Sequence, residues 1–100
     1  MADPRVVVIV PCVSWNPYVA ECLAGCLDLD FDDFRVVLLP DEPLAPPEQP
    51  RDNRVLVLPT GDVSIAAKRN RAVREHPTAA YYAMIDSDAF PDPGWLREAL

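Results

Sequence analysis

The sequence predicts one α/β domain in which a mostly parallel sheet carries helices on both faces. Short runs of β-branched and aliphatic residues alternate with segments whose apolar residues recur at helical spacing. That alternation favours parallel strands joined by right-handed helical crossovers. Half of the 100 residues are hydrophobic, which is enough for one small core and too little for two. Residues 1–100 are therefore predicted to form a single domain.

The first part of the chain is predicted to form a strand, a helix and a second strand. Arg5–Val10 is a continuous run of mostly β-branched residues, which is typical of a short strand buried on both faces. Asn16 is a favoured N-cap residue and Pro17 suits the first helical position, so a helix is predicted from there to Leu27. Phe34–Pro40 has the same character as the first run and is predicted to form the second strand.

A proline-rich segment separates the second strand from the third. Residues 40–53 contain five prolines and show no periodicity, so they are predicted to form a loop. Loops of this length in compact domains are usually functional or mobile. Arg54–Pro59 then resumes the apolar pattern and is predicted to form a third strand.

A basic helix is predicted after the third strand. It begins near Asp62 or Ser64 and ends before Pro77, because proline disfavours helical backbone in the residue before it. Asn70 falls on the apolar face of this helix. We therefore expect its side chain to point toward the core or a cleft.

The fourth predicted strand, Ala79–Asp86, leads into two closely spaced carboxylates, and a third helix begins within residues 92–100. In an extended segment Asp86 and Asp88 would point the same way, where their charges repel unless a cation compensates. Mg²⁺ and Mn²⁺ prefer oxygen ligands and often bridge one or two carboxylates to phosphates. The alternative is a solvated acidic turn that caps the third helix. The position at the end of a buried strand favours the metal site.

The carboxyl ends of parallel strands meet at one edge of the sheet, where ligands bind in such folds. The segments expected at that edge are Pro11–Ser14, Pro40–Glu42, Pro59–Asp62 and Asp86–Asp88. Asp41 could accept a hydrogen bond from a base or a ribose, or it could be an ordinary turn residue. The chain has only 3 glycines and lacks the glycine-rich phosphate motifs. Any phosphate would then be held by a metal and arginine.

Basic residues are concentrated in the second predicted helix of an otherwise acidic chain. The net charge of −7 argues against nucleic acid as a partner. Lys68, Arg69 and Arg71 could meet a diphosphate, because a guanidinium group matches phosphate oxygens. The alternative is a solvated helix face, which we favour for Arg71 and Arg74.

The remaining candidate groups favour ordinary structural roles. Cys12, Cys22 and Cys26 lack the further ligands that a zinc site needs and are predicted to be reduced thiols, partly in the core. His76 is predicted to be a helix C-terminal residue. The chain has no apolar run of about 18 residues and starts without a signal-peptide pattern. We expect it to be cytoplasmic, either free or at the cytosolic face of a membrane.

Five stretches, taken in order, resemble the GT-A glycosyltransferases of the family 2 type. They are "VVVIVPC", "NPYVAECLAGCL", "FRVVLLPDE", "AAKRNRAV" and "MIDSDAFPDPGWL". The resemblance covers nearly the whole chain and implies a Rossmann-like fold, the nucleotide-diphospho-sugar transferase half of such an enzyme. It implies metal-dependent transfer of a sugar from a nucleotide-diphosphate sugar, with a UDP-sugar favoured, to an unknown acceptor.

The resemblance also implies roles for particular residues. Asp86 and Asp88 would hold Mn²⁺ or Mg²⁺ on the donor diphosphate, with Asp88 favoured as the direct ligand. Asp41 would contact the base and Arg69 would lie near the donor. The residues implied to bind the nucleotide sugar are Pro11, Cys12, Val13, Asp41, Arg69 and Asp86.

The sequence departs from the family pattern in two places. The family usually has Pro-x-Tyr-Asn after the first strand, whereas Pro11–Ser14 reads "PCVS" and lacks the stacking tyrosine. The usual Asp-Asp-Gly-Ser reads "PDEP" here. These changes leave open another nucleotide, or a non-catalytic nucleotide-binding or interaction domain on the same fold. A nucleotidyltransferase is disfavoured because "PCVSWNP" is not the glycine-rich basic loop that it would need.

The length of the chain is the other departure. In this family the acceptor half and the catalytic base follow the Asp-x-Asp region, so we expect the chain to be an incomplete domain and assign no catalytic base. A half-domain leaves a sheet edge and apolar surface uncovered, which promotes association. We therefore predict self-association or marginal stability for the 100-residue chain.

Overall fold

The structure, a computed structural model, describes residues 3–100 and has the predicted α/β architecture. Within that part of the chain the elements are β1 Val6–Pro11, α1 Pro17–Leu27, β2 Phe34–Leu39, β3 Val55–Val57, α2 Ile65–Glu75, β4 Tyr81–Met84 and α3 Trp95–Ala99. The strands form one sheet in the order β3-β2-β1-β4, and every neighbouring pair is parallel. None of the described helices is long and apolar enough to span a membrane.

Helices cover both faces of the sheet, as predicted. Alternate residues of a strand point to opposite faces. Val8 and Val10 of β1 pack with Val19 of α1 on one face, where Leu96 of α3 joins the same cluster. On the other face, Ile9 of β1 packs in a cluster with Ala72 of α2, which completes the three-layer arrangement.

The predicted helix starts are confirmed by their caps. The Asn16 side chain accepts a hydrogen bond from the Val19 backbone N–H over 3.0 Å. The Ser64 hydroxyl accepts one from the Ala67 N–H over 3.1 Å. Each cap satisfies a backbone donor that has no partner inside its own helix.

The two outer strands are shorter than predicted. β3 covers only Val55–Val57 and β4 only Tyr81–Met84. Each lies at an edge of the sheet and has a single neighbour in the described structure. The backbone hydrogen bonds nevertheless continue past the strand ends, from the Leu58 N–H to Leu38 and from the Ile85 N–H to Ile9. The apolar runs therefore reach the carboxyl edge, although they lose regular strand geometry before it.

The predicted proline-rich loop between β2 and β3 is present and carries one short element. Pro46–Glu48 form a single 3₁₀ turn. Leu44 is only 7% exposed and anchors the loop on the core. The Gln49 side-chain amide donates to the Leu44 carbonyl oxygen over 2.9 Å, which closes the turn on itself.

Candidate functional site

Three segments that follow β1, β2 and β3 are hydrogen-bonded to one another at the carboxyl edge of the sheet. The Cys12 N–H donates to the Leu39 carbonyl oxygen over 3.1 Å, and the Asp41 N–H donates to Val13 over 3.0 Å. The Gly61 N–H donates in turn to the Asp41 carbonyl oxygen over 2.8 Å. The backbone of Asp41 is thus fixed between its two neighbours. The convergence predicted from the parallel arrangement of the strands is present for these three segments.

A cavity of about 220 Å³ opens at this edge. Four of the predicted site residues border it, namely Pro11, Cys12, Val13 and Asp41. Residues that the sequence reasoning did not assign to the site complete its wall: Asp62, Val63, Ile65, Lys68 and Ser87. Gly61 has a φ of 79°, a left-handed conformation that glycine adopts without strain, and it turns the chain into this wall.

A second cavity of about 290 Å³ shares Val13, Asp41 and Asp62 with the first. It is bordered by the half-buried Trp15 and by the carboxylates of Glu42 and Glu48. The stacking tyrosine of the family pattern is missing at Val13, but an indole ring borders the cleft two residues later. Trp15 was not predicted as a site residue, since the segment expected at the carboxyl edge ended at Ser14.

Lys68 lies beneath the first cavity and is almost fully buried, at 3% exposure. Its ammonium donates to the Cys12 carbonyl oxygen over 2.5 Å, to the Leu39 carbonyl oxygen over 3.0 Å and to Asp41 Oδ1 over 2.6 Å. The sequence suggested a phosphate contact for Lys68. The structure instead shows a lysine that ties together the ends of β1 and β2.

The buried face of α2 is not the one that the sequence predicted. Asn70 is exposed, and Arg69 is exposed beside it, with Nη2 3.3 Å from Asn70 Oδ1. The expectation that Asn70 points into the core or cleft is therefore wrong. The buried positions are Lys68 and Ala72, one helical turn apart. A lysine and an alanine carry too little hydrophobic signal to reveal this face.

Asp86 and Asp88 lie in a turn rather than in an extended segment. The Ala89 N–H donates to the Asp86 carbonyl oxygen over 3.0 Å. Both carboxylates are exposed, and neither borders the first cavity, although Ser87 between them does. Asp86 borders a different cavity of about 430 Å³, together with Trp95. The two-residue spacing argument for a shared cation therefore does not hold in its simple extended form.

The two carboxylates of this turn still fit a divalent cation whose other coordination positions are filled by oxygens of a bound phosphate and of water. No group of three or more histidine, cysteine or acidic residues among residues 3–100 is placed to hold a metal by itself. Mg²⁺ sites in nucleotide enzymes commonly use only one or two carboxylates, with phosphate and water oxygens filling the other positions. Asp86 and Asp88 can supply that minimum.

The thiols near the site are buried structural groups. Burial raises the pKa of the Cys12 thiol, which stays protonated at neutral pH. Cys22 of α1 donates a hydrogen bond to the Asp86 carbonyl oxygen over 3.5 Å. A hydrogen bond between Cys22 and Cys26 lowers the pKa of the Cys22 thiol and raises that of Cys26. Cys22 thus connects α1 to the start of the turn that carries Asp86 and Asp88.

Comparison with protein families gives a match over almost the entire chain. The family described as glycosyl transferase family 2 matches residues 7–100. The chain belongs to this family. A comparison with curated protein sequences found none that matches it.

Solved structures of glycosyltransferases share the fold of this family 2 chain. Residues 1–349 of TarS from S. aureus superpose with a TM-score of 0.75 at 21% identity, over 95% of this chain and 31% of that fragment. The mannosyltransferase PcManGT from Pyrobaculum calidifontis, solved with GDP-Man and Mn²⁺, superposes with a TM-score of 0.75 at 24% identity. That match covers 97% of this chain and 31% of PcManGT. The family 2 chain thus spans about a third of the length of each of these two solved chains, and the likeness shows that it has the GT-A fold.

Proposed function

We propose that this chain is the donor-binding part of a metal-dependent glycosyltransferase, which moves a sugar from a nucleotide-diphosphate sugar to an acceptor. The observation that carries the proposal is the cleft at the carboxyl edge of the sheet in a family 2 chain. Pro11, Cys12, Val13 and Asp41 border it, and Asp62 widens its acidic wall. Such an edge is where parallel α/β sheets bind nucleotides.

A uridine or guanosine diphosphate sugar is the proposed donor. One TarS structure is described with UDP-GlcNAc, and PcManGT is described with GDP-Man and Mn²⁺. In this chain the nucleoside would occupy the two joined cavities around Asp41, with Trp15 as an apolar platform. The diphosphate would extend toward Ser87 and reach the acidic turn.

Asp86 and Asp88 are the proposed holders of Mn²⁺ or Mg²⁺. A cation bound there supplies Lewis-acid neutralisation of the charge that develops on a leaving diphosphate. Arg69 lies on the exposed side of α2 and could approach the diphosphate only from solvent, so its proposed role is to assist. No residue of the chain is proposed as the catalytic base.

Calorimetric titration of UDP into the chain, with and without Mn²⁺, tests the proposal. We expect UDP to bind only when Mn²⁺ is present. In Asp88→Ala the affinity should fall by about 10- to 100-fold or more, because that loss is typical even of residues that act on a metal through one of its ligands. Asp32→Ala is the matched control, because it removes an exposed carboxylate that lies just before β2, at the amino ends of the strands. Equal loss in both variants, or no binding by a folded chain, would overturn the proposal.

The two tryptophans can report the two parts of the site separately. Trp15 borders the cavity around Asp41, and Trp95 borders the cavity beside Asp86. In the Trp95→Phe chain, UDP is expected to change the fluorescence of Trp15. In the Trp15→Phe chain, a change in the fluorescence of Trp95 on adding Mn²⁺ together with UDP would report binding at the turn that carries Asp86 and Asp88.

The specific observation that favours a second function is the position of the two carboxylates outside the first cavity. A non-catalytic nucleotide-binding domain would keep the Asp41 cleft and make no use of Asp86 or Asp88. Binding of UDP that is independent of Mn²⁺ and unchanged in Asp88→Ala would favour this alternative.

A further inference from the structure

The turn that carries the two proposed metal ligands is held through its backbone. The Asp86 carbonyl oxygen accepts from the Ala89 N–H over 3.0 Å, which closes the turn, and from the Cys22 thiol over 3.5 Å. A carbonyl oxygen has two lone pairs, so both are engaged. Just before the turn, the Ile85 N–H donates to the Ile9 carbonyl oxygen over 3.1 Å. The start of the turn is therefore bound to β1 on one side and to α1 on the other.

Helix α1 also fixes the segment that leaves the turn. Gly25 lies three residues after Cys22 and thus on the same face of the helix. An added Cβ at Gly25 would lie 2.8 Å from Pro91 Cδ and 3.2 Å from Phe90 Cε2, so the helix backbone reaches this segment directly. Both helix positions are buried. One face of α1 therefore contacts the chain before and after Asp88.

The two carboxylates have no partner of their own in the described structure. Within residues 3–100, no hydrogen bond or ion pair joins the side chain of Asp86 or Asp88 to another residue. A metal ligand is normally oriented by a hydrogen bond from a neighbouring group. These carboxylates depend instead on the backbone of residues 86–89. Among the described side chains, only that of Cys22 donates a hydrogen bond to this backbone.

We propose that Cys22 is a positioning residue for the metal site, whose thiol holds the Asp86 carbonyl and so presents both carboxylates to a divalent cation. The inference rests on the proposed function and adds a residue that touches neither the metal nor the nucleotide. Without the thiol, the peptide after Asp86 is free to rotate. Binding the cation must then also order the turn, which lowers the affinity.

Titration of Mn²⁺ in the presence of UDP, followed by the EPR signal of free Mn²⁺, tests this role. We expect the Mn²⁺ affinity to fall about 3- to 10-fold in Cys22→Ala, a smaller loss than strong hydrogen-bond partners of metal ligands give, because a thiol is a weak donor. Cys22→Ser keeps a hydroxyl donor and should restore much of the affinity. Cys26→Ala is the matched control, since Cys26 is equally buried one helical turn away and makes no hydrogen bond to the turn in the described structure.

The ¹³C shift of the Asp86 carbonyl in the metal-free chain separates positioning from general loosening. Cys22→Ala should move this shift, whereas Cys26→Ala should leave it unchanged although it also deletes a buried sulfur. If thermal melting shows that Cys22→Ala does not fold, Cys22→Val, which fills the space without a donor, replaces it in the comparison.

The outcomes distinguish the inference from the proposed function. A folded Cys22→Ala chain with the wild-type Mn²⁺ affinity overturns the positioning role and leaves the proposed function intact. Equal losses of affinity in Cys22→Ala and Cys22→Ser, or in Cys22→Ala and Cys26→Ala, overturn it as well. If the folded wild-type chain binds no Mn²⁺ in the presence of UDP, the proposed function and the inference both fail.

Discussion

At the scale of single residues, the charged groups of this chain fall into buried and exposed pairs with different consequences. Lys68 and Asp41 form an ion pair with side-chain exposures of 4% and 17%. Asp52 and Arg54 form a more exposed pair just before β3, with exposures of 29% and 38%. Exposed pairs add little to the free energy of unfolding. Their effect is therefore better measured by the pKa of the carboxyl group than by the stability of the protein.

Asp52 should titrate at an unusually low pH. The Arg54 guanidinium donates to both carboxylate oxygens over 2.7 and 3.0 Å. Together with the Arg54 backbone N–H, it lowers the pKa of Asp52 from its usual 3.8 to about 2. Because the folded pKa is depressed, the stabilisation is present above pH 3.8 and is lost as the pH falls through about 2.

Carboxyl ¹³C shifts followed against pH would check this value. The expected midpoint for Asp52 is about 2, and Arg54→Gln should raise it toward 3.8, with the backbone hydrogen bond keeping part of the shift. A midpoint that stays unchanged in Arg54→Gln would show that the guanidinium is not the cause.

At the scale of elements, α1 depends on one glycine for its contact with the segment after the acidic turn. A Cβ added at Gly25 would lie 2.8 Å from Pro91 Cδ and 3.2 Å from Phe90 Cε2. Pro91 is buried and its ring is stiff, so it cannot move aside easily. The close approach of α1 sets the position of residues 90–91, which follow Asp86–Asp88 after one intervening residue.

Gly25→Ala should therefore destabilise the chain although alanine is the better helix former. Overpacking costs about 1–3 kcal/mol, which exceeds the gain of about 1 kcal/mol in helix propensity. Gly94→Ala is the control, because its added Cβ meets the flexible end of Glu98 at 3.3 Å and otherwise only Asp92 Oδ1 at 3.5 Å, an ordinary van der Waals distance. Urea denaturation of both variants would measure the difference. A gain in stability for Gly25→Ala would contradict the packing argument.

At the scale of the whole molecule, the sheet has two uncovered edges in the described structure. β3 and β4 each pair with one neighbour only. In β4 itself, Met84 is 39% exposed and Tyr81 is 47% exposed. Exposed edges with apolar side chains promote pairing between chains.

Sedimentation over a concentration series should show reversible self-association of the 100-residue chain. Met84→Lys should reduce it, because a lysine on an edge strand opposes pairing with another strand. Tyr18→Lys is the matched control, since it adds the same charge at an exposed position of α1, away from the edge. A monomeric wild type at all concentrations, or an equal effect of both variants, would contradict the prediction.

The comparison of sequence with structure has a clear physical pattern. The order of elements along the chain, the helix starts and the convergence of Pro11, Cys12, Val13 and Asp41 were predictable, because they depend on local propensity and on the geometry of parallel sheets. The bounds of β3 and β4 were not, since each strand stops pairing before its single neighbour in the described structure ends, and no local pattern in the sequence marks that point. The face of α2 was also predicted wrongly.

The sequence by itself determined the α/β class, the helix caps, the loop at residues 40–53 and the residues that lie at the carboxyl edge. Only the tertiary structure decided which of those residues share a cavity and which side chain fixes Asp41. Lys68 is the clearest case, because nothing local distinguishes it from the basic residues beside it. Its burial is possible only because two strand ends and a carboxylate, distant in sequence, supply the acceptors that compensate its charge.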